Sequence, residues 1–180
     1  MNVHQLQLTF DTVEDRILFR ATFLDESGGL QEIRAWLTRR IVCNLWPGIV
    51  RALESQITLD KPQASHAKAE IIGMAHEESI AQFAAAGSFA APFENAAQRF
   101  FPLGEMPLLI SGARFTLHAN QPLRIDFSPA QGSGFEIAFT PALLHGFCKL
   151  LQDAVKAAQW EIELALPGEA GLTPAARVLN

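Results

Sequence analysis

The sequence predicts an α+β fold in which three β-strands followed by an amphipathic helix occur twice, and three observations carry that expectation. Apolar and polar residues alternate in six short runs. At two places the apolar period lengthens abruptly from that of a strand to that of a helix, and each switch is marked by a threonine, Thr38 and Thr140.

In the first unit, Leu6, Leu8 and Phe10 alternate with Gln5, Gln7 and Thr9. After the polar turn Asp11 to Asp15, the residues Ile17, Phe19, Ala21 and Phe23 share one face, which predicts an antiparallel hairpin. The loop Asp25 to Gly29 leads to a third alternation, Ile33, Ala35 and Leu37. From Thr38 onward Ile41, Val42, Leu45, Trp46, Ile49, Val50 and Leu53 recur at helical spacing, with Thr38 placed as an N-cap. Pro47 lies inside that pattern and predicts a kink or break near Trp46, eased by Gly48.

The second unit repeats this grammar. Ala113, Phe115 and Leu117 form one strand face, Leu123, Ile125 and Phe127 the next, and Phe135, Ile137 and Phe139 the third. Thr140 and Pro141 then open a helix as N-cap and N1, with Leu143, Leu144, Phe147, Cys148, Leu151 and Val155 on its apolar face. At the offset of 102 residues that aligns the two threonines, Ile33, Leu37, Ile41, Leu45 and Ile49 fall on Phe135, Phe139, Leu143, Phe147 and Leu151. The match is apolar on apolar throughout, so internal duplication is expected.

Between the units, Asp60 to Ser65 reads as a polar linker, Ala67 to Ala86 as a helix ended by Gly87, and Pro92 to Pro107 as an extended connector pinned by Phe89, Phe93, Phe100 and Phe101. After Trp160, the alternation of Ile162, Leu164 and Leu166 predicts one last strand. The expected organisation is a single domain over 1–180: a first βββα unit at 1–57, linker helix and connector at 58–105, a second unit with a final strand at 106–166, and a frayed tail at 167–180. The two units are expected to pack as a pseudo-twofold domain, with helices crossing on the apolar sheet faces and the linker helix laid against them.

Hydrophobic residues make up 49% of the 180 residues and charged ones 18%, enough to fill a core without disulfides or metal. Acidic residues outnumber basic ones 19 to 14, which argues against a dedicated duplex-DNA binder. Cys43 and Cys148 are single and distant, and the N-terminus lacks the charged and then apolar pattern of a signal peptide. A reduced cytoplasmic protein without a membrane span is the expectation.

No motif points to catalysis. His66 with Glu70, and His76 with Glu77 and Glu78, approach ligand spacing without forming H-E-x-x-H, and both read as solvated helix residues. His145, three residues before Cys148, reads as a helix-surface histidine. Gly28–Gly29 and Gly132–Ser133–Gly134 lie in strand-to-strand loops, not at helix starts where they could cradle phosphate. Asp126 and Glu136 read as cross-strand neighbours on a wet face. A non-enzymatic protein with no cofactor and no metal is therefore expected.

One constellation remains. If the apolar faces of the second and third strands point inward, Arg16, Arg20, Arg34 and Trp36 stand together on the opposite face beside Gln5, Gln7 and Thr9, with Arg39 and Arg40 following at the helix start. Arginines interleaved with an aromatic on an open sheet face suit single-stranded nucleic acid, the cations holding phosphates and the ring stacking a base. The competing expectation is a homodimeric protein-interaction or assembly module whose Trp36 and phenylalanine-rich connector are buried by a partner; the purely structural alternative has Trp36 covered by the linker helix or a second subunit and the arginines paired with Glu14, Asp15 and Glu32.

The strings Trp36-Leu37-Thr38-Arg39-Arg40, Leu45-Trp46-Pro47, Pro102-Leu103-Gly104-Glu105 and Leu143 through Leu151 resemble an uncharacterised bacterial, proteobacterial-type protein family of similar length. That resemblance covers nearly the whole chain and implies no activity. Tandem sheet-then-helix units also resemble, in topology, the PUR and Whirly type of single-strand nucleic acid binders, in which two such repeats intertwine. Three strands per unit where those families use four, and an acidic net charge of -5, depart from that pattern.

Overall fold

The computed structural model describes residues 3–25, 27–89, 91–93 and 99–169. The fold is α+β, and the described residues form three α-helices and one six-stranded sheet whose strands follow one another in chain order. The strands are β1 (Val3–Asp11), β2 (Arg16–Leu24), β3 (Leu30–Leu37), β4 (Leu108–Thr116), β5 (Leu123–Pro129) and β6 (Phe135–Phe139). The helices are α1 (Arg39–Asp60), α2 (Lys68–Ala85) and α3 (Pro141–Ala158), with a short 3-10 helix at Pro62–Ala67.

Neighbouring strands are antiparallel except at the centre, where β3 and β4 run parallel and share only the pairs Ala35–Leu108 and Trp36–Leu109. This weak junction lets the sheet bend. In a flat sheet β2 and β5 would lie three spacings, about 14 Å, apart. Yet the Phe19 ring on β2 sits 5.7 Å from Phe127 on β5 and 5.9 Å from Phe135 on β6. The sheet is therefore curled, and the register irregularity between Ile110 and Gly112 is the kind of bulge that adds curvature.

The expected pseudo-twofold pair of tandem βββα units, with helices crossing on the apolar sheet faces, is not how these elements are arranged. The apolar faces of the two sheet halves meet at Phe19, Phe127 and Phe135, α3 lies against β1 and β2 and reaches β6, and α1 lies against β4. Phe147 of α3 closes the aromatic centre, 6.0 Å from Phe19 and 5.3 Å from Phe139.

Both threonines cap as expected: Thr38 accepts from the Ile41 amide and Thr140 from that of Leu143, each at 3.3 Å. Helix α1 continues through Pro47 instead of breaking. Packing on both sides of the proline outweighs the lost hydrogen bond, since Leu45, Trp46, Gly48 and Ile49 are all buried. A Cβ on Gly48 would stand 2.5 Å from the Phe115 ring, so the glycine sets how closely α1 approaches β4. Alanine there gains about 1 kcal/mol of helix propensity, but the overpacking costs about 1–3 kcal/mol. Gly48→Ala is expected to lower the urea midpoint; a raised midpoint would mean that the ring moves aside freely.

The segment Trp160–Leu166 is not the expected last strand. It runs as an extended strap whose backbone partners are side chains: Trp46 Nε1 donates to Ala165 O at 3.0 Å and Gln152 Nε2 to Leu164 O at 2.7 Å. Trp160 is buried against Phe10, its indole donating to Asp15 at 3.2 Å. Beyond it, residues 167–169 of the expected frayed tail dock on α2. A Cβ on Gly73 would stand 2.6 Å from Gly168 O. Residues 170–180 lie outside the described residues.

Candidate functional site: a clamped arginine cluster and an edge groove

Strand alternation places Arg20 beside Arg34 and Leu18 beside Trp36 on the sheet face away from the core, as expected. That face is covered in part by the connector. Phe100 exchanges backbone hydrogen bonds with β3, its amide donating to Leu30 O and its carbonyl accepting from the Glu32 amide. The phenylalanines divide in their roles. Phe93 lies over the Arg20 guanidinium at 4.0 Å and Phe101 over that of Arg34 at 4.6 Å, whereas Phe89 and Phe100 stay exposed.

Beneath them Glu32 is fully buried. Its carboxylate accepts from Arg20 Nε at 2.7 Å and Arg34 Nε at 2.8 Å, and it pairs with Arg99 from the connector. Burial alone would raise the carboxyl pKa. Hydrogen bonds from Arg20, Arg34 and Arg99 outweigh that cost and hold it at about 2. Arg20 also donates to Gln7 Oε1 at 3.3 Å, and Arg34 to Glu105 O at 3.5 Å.

The other arginines are not part of this cluster. Arg16 pairs with Glu14 at 3.3 Å on the surface. Arg39 and Arg40 are exposed in the first turn of α1, where the helix dipole slightly disfavours cations, and form no ion pair among the described residues. Trp36 is half-buried, in register with Leu109. On the second half of the sheet, Asp126 and Glu136 are cross-strand neighbours as expected, with Arg114 in register beside Asp126 and Arg124 3.7 Å from Glu136.

A groove of ≈ 480 Å³ lies beside the N-terminal half of β1. Its floor is the edge strand from Val3 to Gln7; its walls are Leu143, Phe147 and Leu150 of α3, Phe83 of α2, and Phe89 and Phe93 beyond α2. Phe93 and Gln7 thus belong both to the groove and to the arginine cluster. The described lining holds no carboxylate, cysteine or lysine, and His4 is its one titratable side chain.

His76, which reads as solvated, and His145, which reads as a helix-surface residue, are both buried instead. His76 of α2 and His145 of α3 face each other with Nδ1 to Nδ1 at 3.4 Å, and His76 Nε2 is 3.5 Å from a carboxylate oxygen of Glu169 on the docked tail. Burial pushes both below the ordinary imidazole value, His145 to about 4 with the neighbouring His76 adding to the effect. The signal in the sequence was faint: His76 shares helical spacing with Ile72 and Ser79, both buried. Burial likewise pushes the Cys148 thiol up, away from a reactive thiolate. Among the described residues no three His, Cys, Asp or Glu side chains are placed to hold a metal ion, and no helix is long and apolar enough to cross a membrane.

No protein-family model matches the chain, and no curated protein or solved structure is similar to it at a significant level.

Proposed function

We propose that this protein is a non-enzymatic interaction module that receives an extended apolar segment of a protein partner in the groove beside β1. The observation that supports this is the edge itself. Among the described residues β1 is the outermost strand of the sheet; it is nine residues long and carries no Lys, Arg, Asp, Glu or Pro from Val3 to Phe10. Edge strands are ordinarily blunted by such residues or by shortness, as β6 is with five residues and Glu136. An edge left unblunted next to apolar walls suits strand addition, with backbone bonding for affinity and the walls selecting alternate side chains. The simplest supplier of such a strand is a second copy of this chain, whose β1 has the same alternation; the assembly is then a homodimer.

The matched caps at Thr38 and Thr140 support an origin by internal duplication. Single-stranded nucleic acid on Arg16, Arg20, Arg34 and Trp36, joined by Arg39 and Arg40, is the competing reading, and it requires Arg20 and Arg34 to leave Glu32 and the connector rings of Phe93 and Phe101.

Sedimentation equilibrium and titration with a synthetic peptide of Val3–Asp11 test the proposal. Self-association and peptide binding are expected, both weakened roughly tenfold or more by Phe89→Lys, a change at an exposed groove residue that leaves the core intact. A chain that stays monomeric and ignores the peptide sinks the reading. A salt-dependent shift of labelled oligothymidylate, lost in Arg39→Ala plus Trp36→Ala, replaces it with the nucleic acid one.

A further inference from the structure

We propose that the His76–His145 pair makes the α2 wall of the groove proton-sensitive, so that acidification loosens α2 and the docked tail from α3. The effect on the groove rests on the interaction reading above; the latch itself does not. Two imidazole nitrogens 3.4 Å apart share one hydrogen, one donating and the other accepting. With His76 Nε2 directed at Glu169, the consistent assignment has His145 Nδ1–H donating to the bare Nδ1 of His76. One added proton on His76 strengthens the contact to Glu169 but costs the pair its acceptor, unless His145 shifts its own hydrogen to Nε2. A second proton has no such remedy, since two N–H groups and two charges then face each other in a buried contact.

The pair sits where its separation would be transmitted. Seven residues after His76, on the same face of α2, Phe83 forms a wall of the groove; next to His145, Gly146 receives that ring so closely that a Cβ there would stand 3.0 Å from it. On the other side Glu169 holds the tail, accepting from Gln152 Nε2 at 3.0 Å and from the Leu166 amide at 2.8 Å. The charged groups around His76 are Glu77 of α2, Lys149, Asp153 and Lys156 of α3, and Glu169. Of these, Glu169 and Glu77 favour its protonation and Lys149 opposes it. His145, deeper in, has His76 as its charged neighbour.

The sign follows from linkage. Both histidines bind a proton less readily when packed than when released, so the closed state is favoured above the ordinary imidazole value of 6.5 and loses ground as pH falls from there toward about 4. For His145 alone, opening becomes roughly 30-fold easier between about pH 7.5 and about pH 5.

Hydrogen exchange of the full chain at those two pH values, corrected for intrinsic rates, reads the opening of residues 68–85 and 160–169. The wild type is expected to show that rise, and His145→Phe, which keeps an aromatic ring and removes the proton site, less than about a third of it. Equal responses in the two proteins, or none in the wild type, overturn the proposal. Should the variant not fold, the ring-proton titration of His145 in the wild type decides: a midpoint near the ordinary value overturns it. Sedimentation at the same pH values reads the groove separately. A wild type that is monomeric throughout, yet responds in hydrogen exchange, refutes the interaction reading and leaves the latch standing.

Discussion

Replacing Glu32 by alanine is expected to destabilise the protein by about 3–5 kcal/mol at neutral pH, read as a fall in the urea midpoint without a change in slope. The carboxylate is fully buried and is the shared partner of Arg20, Arg34 and Arg99, so its loss strands guanidinium groups under Phe93 and Phe101. Most of the effect is the desolvation of those stranded charges, not the worth of the contacts removed. A second variant separates the two. Glu32→Leu combined with Arg20→Met, Arg34→Met and Arg99→Met removes all four charges together and is expected to recover much of the loss; if it is no better than Glu32→Ala, stranded charge is not the cause. The acid limb supplies an independent check. The folded carboxyl is held at about 2 against an ordinary 4.5, so its contribution is complete above about pH 5 and is lost as pH falls through 4.5 toward 2. The gap between wild type and Glu32→Ala should narrow by roughly 3 kcal/mol over that window, less to the extent that water screens the partly exposed Arg20 and Arg34.

Phe19→Ala is expected to cost about 3–5 kcal/mol by the same measurement. Phe19 is 1% exposed and touches three rings from three elements, Phe127, Phe135 and Phe147. No neighbour can collapse into the space without disturbing the others, so the cavity term adds to the lost burial. Leu24→Ala on the same strand, at a residue 51% exposed, is the control and should stay within about 0.5 kcal/mol. A Phe19→Ala effect as small as the control's would mean that the sheet halves are not held together here.

Strand alternation in the sequence was a reliable guide to faces, because it depends only on local geometry. It correctly put Phe19, Ile33 and Phe127 inward and Arg20, Arg34 and Trp36 outward. It was silent on what each inward face meets, since a strand packed on a helix and a strand packed on another sheet half carry the same period. The curl therefore went unread, and with it the role of Phe19. Glu32 was recognisable as a neighbour of the arginines two residues from Arg34, but Arg99, its third partner, lies 67 residues away with nothing local to mark it. The histidines failed for a chemical reason. Neutral imidazole suits a buried helix interface as well as a wet surface, so His76 and His145 could be placed only once α2 and α3 were seen together. The strap misled because apolar alternation also describes an extended segment bonded by side chains.

Trp46 bonds to Ala165, 119 residues later, and Trp160 to Asp15, 145 residues earlier, so the strap is sewn to α1 and to the turn between β1 and β2. Such bonds cannot form on a nascent chain until Trp160 and Ala165 have left the ribosome. The first three strands must therefore wait, with the apolar faces of Ile17, Phe19 and Phe23 uncovered, for β5, β6 and α3 to emerge. The consequence falls on biosynthesis: truncation before Trp160 should leave a product that chaperones retain, and slow translation of the stretch from β5 to Ala165 should lengthen the period in which the uncovered face of β2 invites aggregation.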